Sequence, residues 1–262
     1  MKKCIKQVLS MSNILFIFEG EKTEKNILNS LTKYFINEQE NTLITCAYCA
    51  EIYQLYKEIS KDDNLDTFTL LKEKKINKEL LAPYSRNDFA EIYMFFDYDG
   101  HSTLASDKKI EELLNLFNEE TEKGKLYLNY PMVESLKHIK SLENFKNSKV
   151  KAKENIRYKQ KVNSESKNEF IQINKYTKDI WIQLINLHLK KANFIINDDY
   201  IVPLNNISQA NVFQKQLEKY INIDSTVSVL SSFPLFLLNY YGVTFITKLI
   251  SEVHLSTSKN HQ

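Results

Sequence analysis

Glycine and proline occur only four times each in this chain of 262 residues, so it has little of the punctuation that marks loop-built or low-complexity proteins. Cysteine is scarce and odd in number, with Cys4, Cys46 and Cys49 alone. That excludes a disulfide framework and points to a reducing compartment. Charge of one sign is also missing: the formal net charge is only +2. The whole molecule is therefore no general polyanion binder, and any affinity for nucleic acid must come from a local patch. No apolar run approaches a membrane span, and the N-terminus lacks a signal-peptide core with a small-residue cleavage site. The reading is a cytoplasmic protein with no membrane partner. What the chain does have is apolar mass: hydrophobic residues make up 43%, enough for one large domain or a domain with an appendage.

That mass is ordered as strand and helix in alternation. Asn13 to Phe18 is apolar nearly throughout, as a central parallel strand is. A helix follows, with Ile27, Leu28, Leu31, Tyr34 and Phe35 on one stripe. Thr42 to Tyr48 reads as a strand and Glu51 to Ile59 as a helix. Asp62 to Asn64 reads as a loop, and Leu65 to Lys78 as a short helix or irregular segment. Phe89 to Phe96 is a second long apolar strand. Asp107 to Glu120 reads as a helix, Lys125 to Asn129 as a strand, and Met132 to about Phe145 as a helix. This alternation predicts an α/β fold with a parallel, helix-covered sheet over residues 1–145. The pattern then changes. Residues 146–168 carry Lys146, Lys149, Lys151, Lys153, Arg157, Lys159, Lys161 and Lys167 against only Glu154 and Glu165, with little apolar periodicity, and read as a basic loop or linker. Residues 169–255 read as mainly helical, over Phe170 to Ile195, Ser208 to Ile221, Phe233 to Tyr241 and Val243 to Leu255. A polar tail, 256–262, ends the chain.

The chemistry gathers where apolar strands end. Phe18 is followed by Glu19-Gly20, and Phe95-Phe96 by Asp97-Tyr98-Asp99-Gly100. Parallel strands put their carboxyl ends on one edge, where open α/β sheets bind ligands. Glu19 can therefore approach Asp97 and Asp99 despite the sequence distance. Such carboxylates repel one another unless a cation sits among them, and oxygen ligands suit Mg²⁺ or Mn²⁺.

These residues resemble the Toprim domain, in which a strand ending in Glu-Gly precedes a strand ending in Asp-x-Asp. Phe18-Glu19-Gly20-Glu21-Lys22-Thr23-Glu24 looks like the first motif in its OLD-type and RloB-like form. Phe96-Asp97-Tyr98-Asp99 looks like the second, and Asn129-Tyr130-Pro131-Met132-Val133-Glu134 resembles a later segment of RloB-like proteins. The resemblance covers about residues 12 to 140. It implies a metal-dependent nuclease acting on DNA or on tRNA or other RNA, an effector of bacterial anti-phage defence that works with a separate ABC-type ATPase. By this resemblance Glu19 ligates metal and serves as general base or acid, Asp97 and Asp99 hold the catalytic metal, and Glu24 and Glu134 are candidates for a second ion. Lys22 and Lys137 are the candidates for neutralising charge at the scissile phosphate. Lys149, Lys151, Lys153, Arg157, Lys159 and Lys161 are candidate contacts to the nucleic-acid backbone. The oligomeric state is open, a homodimer included.

Plainer readings stand beside these. Asp97 and Asp99 suit a solvated turn, Glu21, Lys22 and Glu24 suit an ordinary first helical turn, and the basic run suits a solvated loop. His101 reads as a polar loop residue, with contact to phosphate as the alternative. His138, four residues after Glu134, reads as able to support it. Cys46 and Cys49 have the spacing of half a zinc site, with no second half, and read as half-buried thiols. Gly20-Glu21-Lys22-Thr23 is not a P-loop, because Phe16 stands where that motif needs glycine. Asp97-Tyr98-Asp99-Gly100 also resembles the haloacid-dehalogenase phosphatase motif, with Asp97 as nucleophile, Asp99 as acid and Asp198-Asp199 as a late metal pair. In that family the nucleophile strand opens the core, whereas here a unit bearing Glu19 precedes it. A catalytically silent scaffold that binds a partner is the third reading.

Overall fold

The computed structural model describes residues 12–36, 41–61 and 66–259. Cys4, the loop from Asp62 to Asn64 and the last residues of the tail, 260–262, lie outside them. The chain forms an α/β fold. In order come β1 (Ser12–Phe18), α1 (Thr23–Thr32), β2 (Asn41–Ala47), α2 (Ile52–Ile59), α3 (Thr67–Glu73), α4 (Lys78–Leu81), β3 (Phe89–Asp97), α5 (Asp107–Leu116), β4 (Asn118–Glu119) and β5 (Gly124–Asn129). The five strands make one sheet in the order β2-β1-β3-β5-β4. β1, β2, β3 and β5 run parallel, and β4 returns antiparallel against β5.

Period-two geometry sends alternate side chains of each strand to opposite faces. Phe16 and Phe18 of β1, Tyr93 and Phe95 of β3 and Tyr127 of β5 share one face, and Phe233 and Phe236 of a C-terminal helix pack on them. Phe95 stacks on Phe233 with centroids 4.5 Å apart and on Tyr127 at 5.2 Å. Each such aromatic pair adds about 0.5–1.5 kcal/mol beyond its burial. Leu15, Ile17, Met94 and Phe96 on the opposite face are fully buried too. Burial on both faces is why these strands read as unbroken apolar runs rather than as alternation.

The helix expected from Met132 to Phe145 does not form. Val133–Lys137 is a 3₁₀ segment, and the chain then runs irregularly to a second 3₁₀ turn, Phe145–Asn147. Val133, Leu136 and Ile139 are spaced by three, a period that suits a 3₁₀ turn as well as an α-helix. Residues 146–167, read as a basic loop, are folded as well. They contain β6 (Lys149–Lys151) and α6 (Tyr158–Glu165), with Val150, Ala152, Tyr158 and Val162 buried.

Then follow α7 (Asn168–Ile171), α8 (Lys178–Asn197), α9 (Gln209–Gln216), α10 (Asn222–Asp224), β7 (Thr226–Ser228) and α11 (Phe233–Lys259). The helical stretch expected from Phe170 to Ile195 is thus broken before Lys178. β7 pairs antiparallel with β6. Trp181 of α8 donates from its indole N–H to Ser30 Oγ of α1 at 3.0 Å. Buried Lys191 of α8 donates to the Phe145 and Ser148 carbonyls at 2.9 and 2.6 Å. α11 is interrupted at Gly242, whose φ of 79° is non-helical, so the break read between Tyr241 and Val243 is present. Phe233–Glu252 is long and apolar enough to cross a membrane by length and composition, although the sequence reading saw no such run, and half of that stretch is buried in the protein.

Candidate functional site

The strand order reverses its sense of progression at β1, with β2 on one side and β3 on the other. A crevice opens at such a switch point, beyond the carboxyl ends of the two strands. Phe18 pairs with Phe95 in register, so the residues that follow them are neighbours. The Glu19 N–H donates to the Phe95 carbonyl at 3.1 Å, and Glu19 Oε2 accepts from the Asp97 N–H at 3.0 Å. Glu19 thus lies beside Asp97, 78 residues along the chain. One strand further, Asn129 sits opposite Asp97 in the β3–β5 register. Its amide donates to Asp97 Oδ1 at 3.2 Å, while its Oδ1 accepts from the N–H and hydroxyl of Ser232. Asn129 therefore ties the acids to the start of α11.

Glu24 joins from α1. Its Oε1 accepts from the Gly20 N–H at 3.2 Å, satisfying a backbone donor near the helix start that has no other cap. A Cβ on Gly20 would stand only 3.2 Å from Glu24 Oε2, so glycine here makes room for that carboxylate. Asp99 follows β3 with a left-handed φ of 43°, a conformation that Asp tolerates better than most residues. The Tyr98 and Asp99 N–H groups both donate to the Pro131 carbonyl, at 3.1 and 3.4 Å, which fixes the Asp-x-Asp turn to the chain after β5. Glu134 arrives on the 3₁₀ segment, only 4% exposed.

These acids act on one another. Burial pushes the Glu19 carboxyl up to about 8; the Asp97 N–H opposes this, and negative charge on Asp99, Glu24 and Glu51 adds to it. Burial raises Asp97 well above its ordinary value, reinforced by Glu19, Asp99, Glu24 and Glu134. Asp99 is raised by burial and by Glu51 and Glu134, with His101 opposing. Glu24 is raised by burial and by Glu134, against the Gly20 N–H and Lys159. Glu51 escaped the sequence reading. It precedes α2 just after the carboxyl end of β2, on the same sheet edge, and its Oε2 accepts from Ser102 Oγ at 2.5 Å. An acid soon after a third parallel strand was the signal that could have found it.

Asp99 Oδ1 and Glu134 Oε2 are buried without a hydrogen-bond donor. Buried, mutually repelling, all-oxygen donors fit a hard divalent cation such as Mg²⁺ or Mn²⁺. Among the described residues no three His, Cys, Asp or Glu side chains stand as a ready metal cage. Glu19 is turned onto the Asp97 N–H and Asp97 onto Asn129, so the acids do not converge on one point. Mg²⁺ keeps several waters and takes only one or two carboxylates, which such an arrangement accommodates.

The basic residues divide. Lys137 is nearly buried, which lowers its pKa although Glu134 opposes the shift; its Nζ donates to Asn163 at 3.4 Å. Lys22 is exposed at the start of α1. Lys159 Nζ stands 4.0 Å from Glu134 Oε1, and Arg157 makes no side-chain hydrogen bond or ion pair among the described residues. The other expected nucleic-acid contacts already have partners: Lys149 with Asp224 at 2.6 Å, Lys151 with Glu154 at 3.9 Å, Lys153 with Asp107 at 3.1 Å and Lys161 with Glu165 at 3.0 Å. The fold nonetheless brings the basic segment against the acids. A Cβ on Gly100 would lie 2.9 Å from the Ala152 carbonyl and 2.5 Å from Tyr98 Cε1, so only glycine lets the Asp-x-Asp turn pass beneath the chain after β6.

His138 does not support Glu134. Its Nδ1 meets the Tyr158 hydroxyl at 3.0 Å and its Nε2 meets Glu165 at 3.2 Å. His101 lies in the turn after β3, exposed, with its Nδ1 3.8 Å from Asp99 Oδ1. Cys46 is buried and Cys49 exposed, both free thiols. Asp198 is exposed and paired with Lys219 at 2.8 Å, and the Asp199 carbonyl accepts from Asn193 at 2.9 Å; no described hydrogen bond or ion pair joins either to Asp97 or Asp99. Compared with known protein families, curated proteins and solved structures, the chain matches none.

Proposed function

We propose that the chain is a divalent-metal-dependent phosphodiesterase of nucleic acids, built on a Toprim-like sheet. One observation carries the reading: Glu19, Glu24, Asp97, Asp99 and Glu134 gather at the switch point of a parallel sheet, and two of their buried oxygens lack any donor. Asp97 and Asp99 would hold one cation directly, with Glu19 reaching it through bound water, and Glu24 and Glu134 would hold a second. Bound there, a pair of cations stabilises the attacking and leaving oxygens of an in-line displacement at phosphorus. Glu19, beside the Asp97 N–H at the edge of the acids, would take the proton of the attacking water or return one to the leaving oxygen. Asn129 holds Asp97 in place. Lys137 and Lys159, beside Glu134, would supply positive charge to the phosphate, and Lys22, exposed at the start of α1, is the other candidate. A separate ABC-type ATPase as partner, and a role in anti-phage defence, rest on the resemblance of the motifs alone.

The test is cleavage of DNA and of tRNA with Mg²⁺ or Mn²⁺, with and without a co-encoded ATPase, comparing wild type with Glu19→Ala and Asp97→Ala. Each substitution is expected to lower the rate at least about 10²-fold, the lower bound for a lost general acid or base. Absence of cleavage by the wild type with either ion and either substrate overturns the reading.

A further inference from the structure

A groove of about 320 Å³ opens on the α6 side of the acids. Two of its lining residues also reach the acids: His101, 3.8 Å from Asp99, and Lys159, 4.0 Å from Glu134. Pro131, Met132 and Ile156 give it apolar walls, and Lys151, Arg157 and Lys159 give it a cationic rim. Glu154 is the one acid on its lining, 3.9 Å from Lys151. Arg157 is exposed and held at a left-handed φ of 48°, with no side-chain partner among the described residues. It immediately precedes α6, whose first turn holds no acid and has no side-chain cap. The groove therefore offers apolar walls for a flat ring and unspent positive charge for a phosphate.

Its volume sits at the small end of the range of about 300–1,000 Å³ for ligand pockets. That suits one nucleotide rather than a base pair. A base stacked and paired in a duplex cannot enter such a groove unless it is extruded, whereas an unpaired base is free to do so. We propose that the groove holds one unpaired nucleotide of the substrate strand beside the scissile phosphate, with its phosphate on Arg157 and Lys159 and its base against Met132 and Ile156. The substrate class is then single-stranded or frayed nucleic acid in preference to continuous duplex. This inference rests on the phosphodiesterase reading and adds strandedness to it.

The test is binding of a fluorescent oligonucleotide of about 12 nucleotides, within the site sizes of single-strand binders, in chelator so that nothing is cut. It is offered as single strand, as blunt duplex and as duplex with an unpaired overhang. The proteins are wild type, Arg157→Glu, Ile156→Trp to fill the groove, and Lys248→Glu as a distant charge-matched control. The single strand and the overhang are expected to bind about 10-fold tighter than the blunt duplex. Arg157→Glu and Ile156→Trp each weaken single-strand binding about 10-fold, while the control changes it less than about 3-fold. Equal binding of single strand and blunt duplex, or groove variants that bind like the control, overturns the proposal. If circular dichroism shows that Ile156→Trp is unfolded, the exposed Arg157→Glu decides. The parent reading fails separately, when wild type cleaves nothing with added Mn²⁺ while the binding pattern holds.

Discussion

Replacing Glu19 by Gln isolates the electrostatic cost of the acid cluster. An ordinary Glu titrates near 4.5, and burial together with the neighbouring acids moves Glu19 to about 8. A carboxyl raised in the folded state keeps a proton that the unfolded chain has released, so folding stability falls as pH climbs from about 4.5 to about 8. At 1.36 kcal/mol per pH unit, the cost of Glu19 reaches about 3 kcal/mol at pH 7 and stays below about 1 kcal/mol at pH 5. Gln carries no charge at either pH, and its carbonyl can still accept from the Asp97 N–H. Glu19→Gln is therefore expected to stabilise the chelator-treated protein by up to about 3 kcal/mol at pH 7, a rise in melting temperature of about 6–12 °C for a chain of this size. The gain should shrink severalfold at pH 5. Adding Mn²⁺ should raise the melting temperature of the wild type more than that of the variant, because binding to the folded state stabilises it by mass action. The assay is thermal unfolding by circular dichroism at both pH values, with chelator and with Mn²⁺. A gain that is the same at pH 5 and pH 7, or no gain at all, would refute the reasoning.

Three other substitutions probe the surroundings. Gly100→Ala forces a methyl against Tyr98 and the Ala152 carbonyl and should cost about 1–3 kcal/mol by overpacking, read by denaturant unfolding; an unchanged midpoint would mean that the turn relaxes freely. Asn129→Ala strips a donor from Asp97 and an acceptor from Ser232, a loss of about 2–3 kcal/mol for buried groups left unsatisfied, again read by denaturant unfolding, with little change disproving the bridge. Burial would raise Glu165, but hydrogen bonds from Lys140, Lys161 and His138 together outweigh it and hold it at about 2. A depressed carboxylate contributes stability above its unfolded value near 4.5 that is lost as pH falls toward 2, so Glu165→Gln should flatten the acid limb of the stability curve by about 1 kcal/mol after screening; an unaltered limb in acid titration would remove Glu165 as its source.

The sheet was legible because β1 and β3 are buried on both faces and cannot be written without an apolar run. The edge acids were legible for the same reason: Glu19 and Asp97 stand where those runs stop, and parallel strands stop together. Asn129 was noted only as the first residue of the RloB-like segment and given no role, because an Asn at a strand end has many uses and its partner Ser232 lies 103 residues away. The basic segment was misread because β6 pairs with a β7 that lies far along the chain, Lys149 opposite Ser228, and strands of three residues leave no periodic trace. Arg157 and Lys151 look alike in sequence, yet among the described residues Lys151 pairs with an acid and Arg157 with none, a difference that only the fold creates.

The contact between Asn129 and Ser232 also orders events in time. Every acid of the candidate site is synthesised by residue 134, but the hydroxyl and amide that brace Asn129, and the Leu230 backbone that pairs with Tyr130, leave the ribosome nearly a hundred residues later. A nascent or prematurely ended chain carries the carboxylates without their brace. Maturation of the centre is thereby coupled to synthesis of the chain through Ser232.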